Sequence, residues 1–434
     1  MRHGSRIARA TMAMMAAAAC MSIVTTVSAA RGVSARSRAS AASSCEWNLL
    51  LNSSAGLGLD SGANYYVGVI QPVAGETQVF HGQFPKARYF SYTDYLYIRD
   101  LEFGMTVPDD HIHDAQIKPS SGVNRFLPGQ TANGTYSVTV VDGKPPAVIP
   151  PNTIYTDNTG SVTMYVMYRI YDSSVASDPL GGVPLPSETT YLNGHAISQG
   201  LPCVTPFNGT LAHPGMAGAA APARGAAHAR GESPARILAP ARPAATSSVP
   251  WTLPTATAAQ AQFSNPDISY LGATYPTTDG QVAVVRIKTT SFPNTNAGSP
   301  VWQTGAQVRY WSLCIDNGFF TFVTGCVDDY AAIQSGGEAT FAFSSPAERP
   351  TNATAAAGVN WMSLGSGLWH TIVYRQMLAA TSFTQSIAAI PADGSPATTM
   401  GPYYPQLAFC TVSTFESSGP SGCLGSSAAV RTAR

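Results

Sequence analysis

Charge is scarce in this sequence. Asp, Glu, Lys and Arg supply only 11% of its 434 residues, against roughly 25% in an ordinary soluble domain. Lysine is rarest, with four residues against 20 arginines, and the formal net charge is zero. So balanced a set builds no basic face, which argues against a nucleic-acid partner. Catalytic signatures are also missing. There is no P-loop, no G-x-G-x-x-G, no H-E-x-x-H and no G-x-S-x-G elbow, so neither a nucleotide cofactor nor a local nucleophile motif is expected. No cysteine pair has C-x₂₋₄-C spacing, which removes the common structural zinc patterns. Beyond the leader no stretch is long and apolar enough to span a bilayer. The expectation is no cofactor, no nucleic acid and no transmembrane span; oligomeric state is left open.

Residues 1–30 have the build of a secretory signal. Arg2, Arg6 and Arg9 form a positive start, Met12 to Val24 an apolar run, and Val27-Ser28-Ala29 or Ser28-Ala29-Ala30 a small-residue cleavage site. Lipoprotein processing at Cys20 is the alternative. Export suits the cysteines. Of seven, removal of the leader leaves six, an even number typical of disulfide-bonded exported chains. Six allow fifteen pairings. Cys45 and Cys203 stand at the two ends of the first β-rich region, and the other four lie in the second. The expected pairs are Cys45–Cys203, Cys314–Cys326 and Cys410–Cys423.

Composition divides the chain further. Residues 31–44 are small, basic and aperiodic, a flexible lead-in. Residues 211–248 are Ala/Pro/Arg-rich and too poor in apolar side chains to offset the entropy of ordering, so a disordered linker is expected. Residues 425–434 make a frayed tail. Between these lie strand-like segments. Thr135 to Val141, Val162 to Tyr171, Gln281 to Lys288, Val308 to Cys314, Ala339 to Phe343 and Leu368 to Arg375 are rich in β-branched and aromatic residues and bounded by turn formers. The fold class expected is all-β: two tandem jelly-roll or β-sandwich domains, 45–210 and 249–424, with few short helices.

An internal repeat links the two. Ala87-Arg88-Tyr89-Phe90-Ser91 matches Val308-Arg309-Tyr310-Trp311-Ser312, and Met167-Tyr168-Arg169 matches Val373-Tyr374-Arg375 in the same order. The offset falls from 221 to 206 residues between the two anchors, as unequal loops would cause. Duplication of one sandwich is the expected origin.

The same residues carry a resemblance. Arg309-Tyr-Trp-Ser-Leu-Cys314, Cys326-Val-Asp328-Asp329, Glu348-Arg-Pro350, Asn360-Trp361 and Asn265-Pro-Asp267-Ile-Ser-Tyr270-Leu271 resemble a group of uncharacterised exported bacterial proteins. Gly82-Gln-Phe-Pro85, Ala87-Arg-Tyr89 and Gly181-Gly-Val-Pro-Leu-Pro186 are more loosely similar to the same group. Both regions also resemble the jelly-roll C-terminal domain of a widespread bacterial domain pair of unknown function. The resemblance implies fold and export, and no activity.

Candidate chemistry is sparse. His111-Ile112-His113 would present two imidazoles on one side of a strand, with Asp109, Asp110 and Asp114 nearby as carboxylate ligands. Pro108 precedes the pair and no third histidine is nearby in sequence, so an exposed polar loop is read instead and no metal is expected. Asp267, Asp328 and Asp329 are the acids a hydrolase would use, with Arg88 and Arg309 as charge partners. Asn-Pro-Asp is first a turn signal, and adjacent acids on a strand point to opposite faces. His370, in an apolar strand, reads as a satisfied half-buried histidine. Tyr65, Tyr66, Tyr92, Tyr95, Tyr97, Trp302, Tyr403 and Tyr404 are candidates for an exposed stacking face. The functional expectation is a secreted or envelope-associated, non-enzymatic binding module for a glycan or other cell-surface ligand. The alternative is a cofactor-independent hydrolase built on loop carboxylates.

Overall fold

The structure, a computed structural model, describes residues 45–50, 59–70, 75–98, 105–156, 164–206, 249–253, 263–301, 305–317, 322–365 and 367–425. The expected signal, lead-in and linker, and Trp302, lie outside the described residues. The described residues fall in one compact unit spanning 42–434.

The fold is mostly β. The first half supplies β1 (Cys45–Leu50), β2 (Ala63–Ile70), β3 (Glu76–Gln83), β4 (Ala87–Ile98), β5 (Met105–His113), β6 (Thr135–Asp142), β7 (Thr153–Thr156), β8 (Met164–Ser173), β9 (Ser187–Leu192) and β10 (His195–Pro206). They pair in the order β5-β4-β8-β2-β1-β10-β9-β3-β6-β7. This path folds over on itself, because one apolar core takes Ile112 of β5 and Ile154 of β7 from its two ends, with Trp47, Phe80, Phe90 and Tyr168 between. The alternation of β6 shows why: Tyr136, Val138 and Val140 are buried while Ser137 and Thr139 face outward. Strand β8 is buried on both faces. Met164, Val166, Tyr168 and Ile170 enter the sandwich core, and Tyr165, Met167 and Tyr171 enter a second cluster shared with the other half.

The second half contains β11 (Ile268–Pro276), β12 (Gln281–Lys288), β13 (Tyr310–Asn317), β14 (Phe322–Asp328), β15 (Gln334–Ser335), β16 (Glu338–Ser344), β17 (Val359–Ser363), β18 (Trp369–Met377) and β19 (Gln406–Thr411). One sheet runs β11-β18-β13-β14 and the other β15-β16-β12-β19, with β17 beside β16. Trp311, Leu313, Phe341, Phe343, Tyr374 and Phe409 fill the space between them. Trp251 joins this core from the segment before β11.

Strand orders in the halves correspond. β5-β4-β8-β2 is mirrored by β14-β13-β18-β11, and β7-β6-β3-β9 by β17-β16-β12-β19. A parallel pairing recurs at the same place: β6 and β7 are parallel, as are β16 and β17. The register agrees residue by residue at the sequence anchors. Arg169 sits opposite Tyr65 and Ser91; Arg375 sits opposite Tyr270 and Ser312.

Among the described residues, α-helix occurs only near the C-terminal end, in α1 (Pro396–Met400) and α2 (Val412–Leu424). Gly419, Pro420, Ser421 and Gly422 lie within α2, which begins where Thr411 caps the Thr414 N–H and kinks at Gly419 (φ 65°) and Pro420. Phe415, Cys423 and Leu424 of α2 cover Val282, Val284, Ala342 and Ala408 on the outer face of the second sheet. Three disulfides close the chain: Cys45–Cys203 between β1 and β10, Cys314–Cys326 between β13 and β14, and Cys410–Cys423 between β19 and α2.

Two local expectations change. His111-Ile112-His113 is not an exposed loop but the end of β5, where Ile112 enters the core and a bulge opposite Thr93–Tyr95 accommodates the preceding acids. The aromatic candidates Tyr65, Tyr66, Tyr92 and Tyr95 are buried, since rings that size on these strands close the cores. Tyr403 stacks edge-on against Phe383, and Tyr404 accepts the Trp251 N–H.

Candidate functional site: a charged seam between the halves

The outer face of β4-β8-β2 packs against the outer face of β11-β18-β13. Along this seam run the candidate residues Arg88, Arg309, Asp329 and Asp267, with Asp328 and the two histidines at its margin. The sheets reach each other because alternate residues of β8 and β13 point away from their own cores.

The geometry is reciprocal. Arg88 of β4 donates from Nη1 to Asp329 Oδ1 of the other half at 2.7 Å, and Asp329 Oδ2 accepts the Trp311 backbone N–H at 3.0 Å. Arg309 donates from Nη1 to Asp114 at 3.0 and 3.1 Å, and Asp114 Oδ2 accepts the Phe90 N–H at 3.1 Å. Each arginine thus crosses to an aspartate that pins the strand beside the opposite arginine. The tyrosines that follow repeat the exchange. Tyr89 donates to Asp267 at 2.6 Å and to Asn265 at 3.3 Å. Tyr310 donates to Asp60 at 3.0 Å. Behind them Arg169 lies over the Tyr65 ring and Arg375 over the Tyr270 ring, at 5.9 and 5.7 Å.

Burial decides what these groups can do. Arg88 is 0%, Asp114 0%, Asp329 1% and Arg309 4% exposed. A charge at such depth is tolerable only when paired. Arg88 also contacts Asp172 and donates from Nε to Thr295 at 3.1 Å. Burial raises the Asp329 carboxyl to about 7 against the pull of Arg88. Asp328, raised chiefly by burial, accepts the Ala331 N–H at 2.8 Å. Arg88 pulls on both carboxyls, but it donates a hydrogen bond to Asp329. Asp267 is held elsewhere, by Tyr89 and His111, so the three candidate acids do not form one catalytic set.

At the rim, His111 Nε2 lies 3.3 Å from Asp267 Oδ1, with side chains 30% and 8% exposed. Burial pushes Asp267 up, but the His111 contact, nearby His113 and the Tyr89 hydroxyl outweigh it and hold the carboxyl below its usual range. Burial pulls His111 down, and Asp267 and Asp110 more than restore it, leaving its pKa raised. His113 Nδ1 stands 3.5 Å from Asp114 Oδ1. Among the described residues, Asp60, Cys314 and Cys326 bring three potential metal-ligand atoms within 4.8 Å; both sulfurs are in a disulfide, so neither is a thiolate ligand. His370, fully buried, pairs through Nε2 with the Thr277 hydroxyl at 2.6 Å.

Sequence reasoning does not select Asp60, Asp172, Asn265, Arg169 or Arg375. The last two stand in the repeated Tyr-Arg dipeptides, which is the signal that finds them. Asp60 and Asn265 carry a shared cue: each accepts, through its side chain, the N–H two residues on, and each donates its own N–H to the tyrosine five residues on.

No protein-family model matches this chain, and no curated protein matches it. Among solved structures, an uncharacterised protein from Burkholderia cenocepacia is similar, at 12% identity and a TM-score of 0.47, with 85% of this chain and 82% of that one covered. A Vibrio parahaemolyticus protein aligns at 11% identity and a TM-score of 0.37, covering 82% of this chain and 90% of that one.

Proposed function

We propose that this is an exported, oxidised binding protein, built from a duplicated sandwich with domains at 45–210 and 249–424, whose ligand is a glycan. Corresponding strand orders, the matched register and the reciprocal seam support duplication. Three disulfides support an oxidising compartment. Among the described residues no helix is long and apolar enough to cross a membrane.

The observation that carries the glycan reading is a difference between corresponding sheet faces. In the second half the outer face is apolar and roofed by α2. In the first half the corresponding face has no helix packed on it among the described residues. It presents the hydroxyls of Thr77, Ser137, Thr139 and Ser187, in register across β6, β3 and β9 with Val79 and Val141 between them, while Thr153 and Thr189 are buried. Tyr155 and Tyr191, both half-buried, stand on this face, and His81 bonds Ser137 at 2.9 Å. Hydroxyl donors and acceptors in register between two aromatic rings suit a saccharide, which offers hydroxyls at its edge and C–H groups on its face. The mature protein on a glycan array tests this. The expected outcome is a restricted set of binders lost in Tyr191→Ala and Tyr155→Ala. Turnover of a glycoside or ester by wild type, abolished in Asp267→Asn, would favour the hydrolase reading instead.

A further inference from the structure

We propose that Asp94 and Asp110 form a proton-operated latch at the β5–β7 corner of the first sandwich, closed while Asp94 carries a proton and open when it has lost it. The latch goes beyond the glycan reading, and its test uses protein without ligand.

The corner begins with the bulge in β5. Thr93 pairs with His111 and Tyr95 with Pro108, so Asp109 and Asp110 together stand opposite Asp94. On its other side Asp94 pairs with Val166 of β8, a residue of the sandwich core, and it is 0% exposed. Asp94 Oδ1 accepts the Asp110 N–H at 2.8 Å. Asp110 in turn accepts the His111 N–H on Oδ1 at 2.8 Å and the Tyr155 N–H on Oδ2 at 2.9 Å. The Asp110 side chain thus ties β5 to β7, and Asp94 holds the backbone that carries it.

The remaining oxygen decides the chemistry. Asp94 Oδ2 is buried with no hydrogen-bond partner. An ionised oxygen there would be a bare charge in the core, far costlier than a neutral hydroxyl. The charges that act most on Asp94 are Asp109 and Asp110 of β5, both acidic. In the core around it, Tyr92 of β4 and Tyr168 of β8 are kept neutral by burial, and β7 contributes Tyr155. Burial first, and then Asp109, raises the Asp94 carboxyl well above the usual carboxylate range, and the Asp110 N–H offsets this only in part. The closed corner therefore keeps a proton that a solvated Asp94 gives up near 3.8. It is tightest below that pH and opens more readily as pH climbs towards the closed-state value. On opening, the proton passes to solvent and the new charge stands in water.

The second half closes the same corner without acids. The bulge recurs where Ile315 pairs with Gly325 and Asp316 with Val323. Ile315 follows Arg309 by the six residues that separate Asp94 from Arg88, and it lies in the apolar core. Thr324, in the bulge, sets its hydroxyl 3.1 Å from the Ile315 carbonyl oxygen and 3.0 Å from that of Ser363 on β17. A neutral hydroxyl beside an isoleucine joins these strands as two acids join β5 and β7. The framework does not require the acids; what they add is a response to pH.

Infrared spectroscopy and amide exchange test the latch. At neutral pH the spectrum of wild type minus that of Asp94→Asn should show one protonated, buried carboxyl. Exchange protection of the Asp110 and Tyr155 amides should fall roughly tenfold per pH unit between about 5 and 8 in wild type. The Ile315 amide of the second-half corner should show no such fall. Asp94→Asn, neutral at every pH, should hold the Asp110 and Tyr155 amides level. In Asp109→Asn one repelling charge is gone, so the fall should end at a lower pH than in wild type; this variant carries the test if Asp94→Asn does not fold. A difference spectrum without the protonated carboxyl, wild-type protection that stays level, an equal fall in Asp94→Asn, or an end point unmoved in Asp109→Asn overturns the proposal.

Discussion

The two halves share eight corresponding strands but finish them differently. The first adds β1 and β10, joined by a disulfide between residues 158 apart, and among the described residues no helix covers its far sheet face. The second adds a helix over that face, tied by a disulfide between residues 13 apart. The common strands make the seam; the additions decide which surfaces stay in water. A framework held constant by mutual burial can therefore vary its outer faces independently.

The largest expected effect separates the two finishing devices. In the chain-entropy view, removing Cys45–Cys203 costs about 5 kcal/mol, against about 3 for Cys410–Cys423. Denaturant unfolding of the paired Cys→Ala variants measures both, and equal losses would show that loop length does not distinguish the halves. Next come the crossed arginines. Arg88→Met and Arg309→Met should each cost about 3–5 kcal/mol, because each strands a buried aspartate. A large loss at one and none at the other would break the reciprocity. The faces follow. Phe415→Ala, beneath the roof, should cost about 3 kcal/mol, and Thr139→Ala on the open face under about 0.5; thermal melts compare them.

The last test concerns pH. Glu46 on β1 lies against Gly68 and Gly200, where any Cβ would collide with its carboxylate. Burial first, and then Glu188, raises it to about 8. The folded form therefore holds a proton that the unfolded chain gives up near 4.5, so stability is full below that value and declines as pH rises towards 8. Glu46→Gln should flatten the pH dependence of unfolding between those values. A profile matching wild type would remove this contrast between the halves.

Much of the β framework is legible in the sequence because it rests on alternation. Thr135 to Val141 declares a buried and an outward set, and Val308 to Cys314, rich in aromatic and branched side chains, is buried on both faces. The repeated Arg-Tyr pairs are legible too, as a repeat. Their crossing is not. Arg88 and Asp329 stand 241 residues apart, and nothing local tells which aspartate an arginine will meet. Helix α2 hides for the opposite reason: Gly419 and Pro420 have the local chemistry of a chain ending, and the tether to β19 overrides it. The tyrosines mislead because their number suggests a wet stacking face, whereas Tyr92 and Tyr136 hide their hydroxyls by bonding each other at 3.0 Å.

Strand β8 has no free side. Each of its residues from Met164 to Tyr171 answers to one of two packed environments, so neutral drift has little room there. Over evolutionary time the chain's ends and its outer faces can lose all trace of ancestry while this ribbon keeps its alternation of sulfur, aromatic and guanidinium groups. Distant kin, if they are to be recognised by residues alone, should be sought first along those few positions.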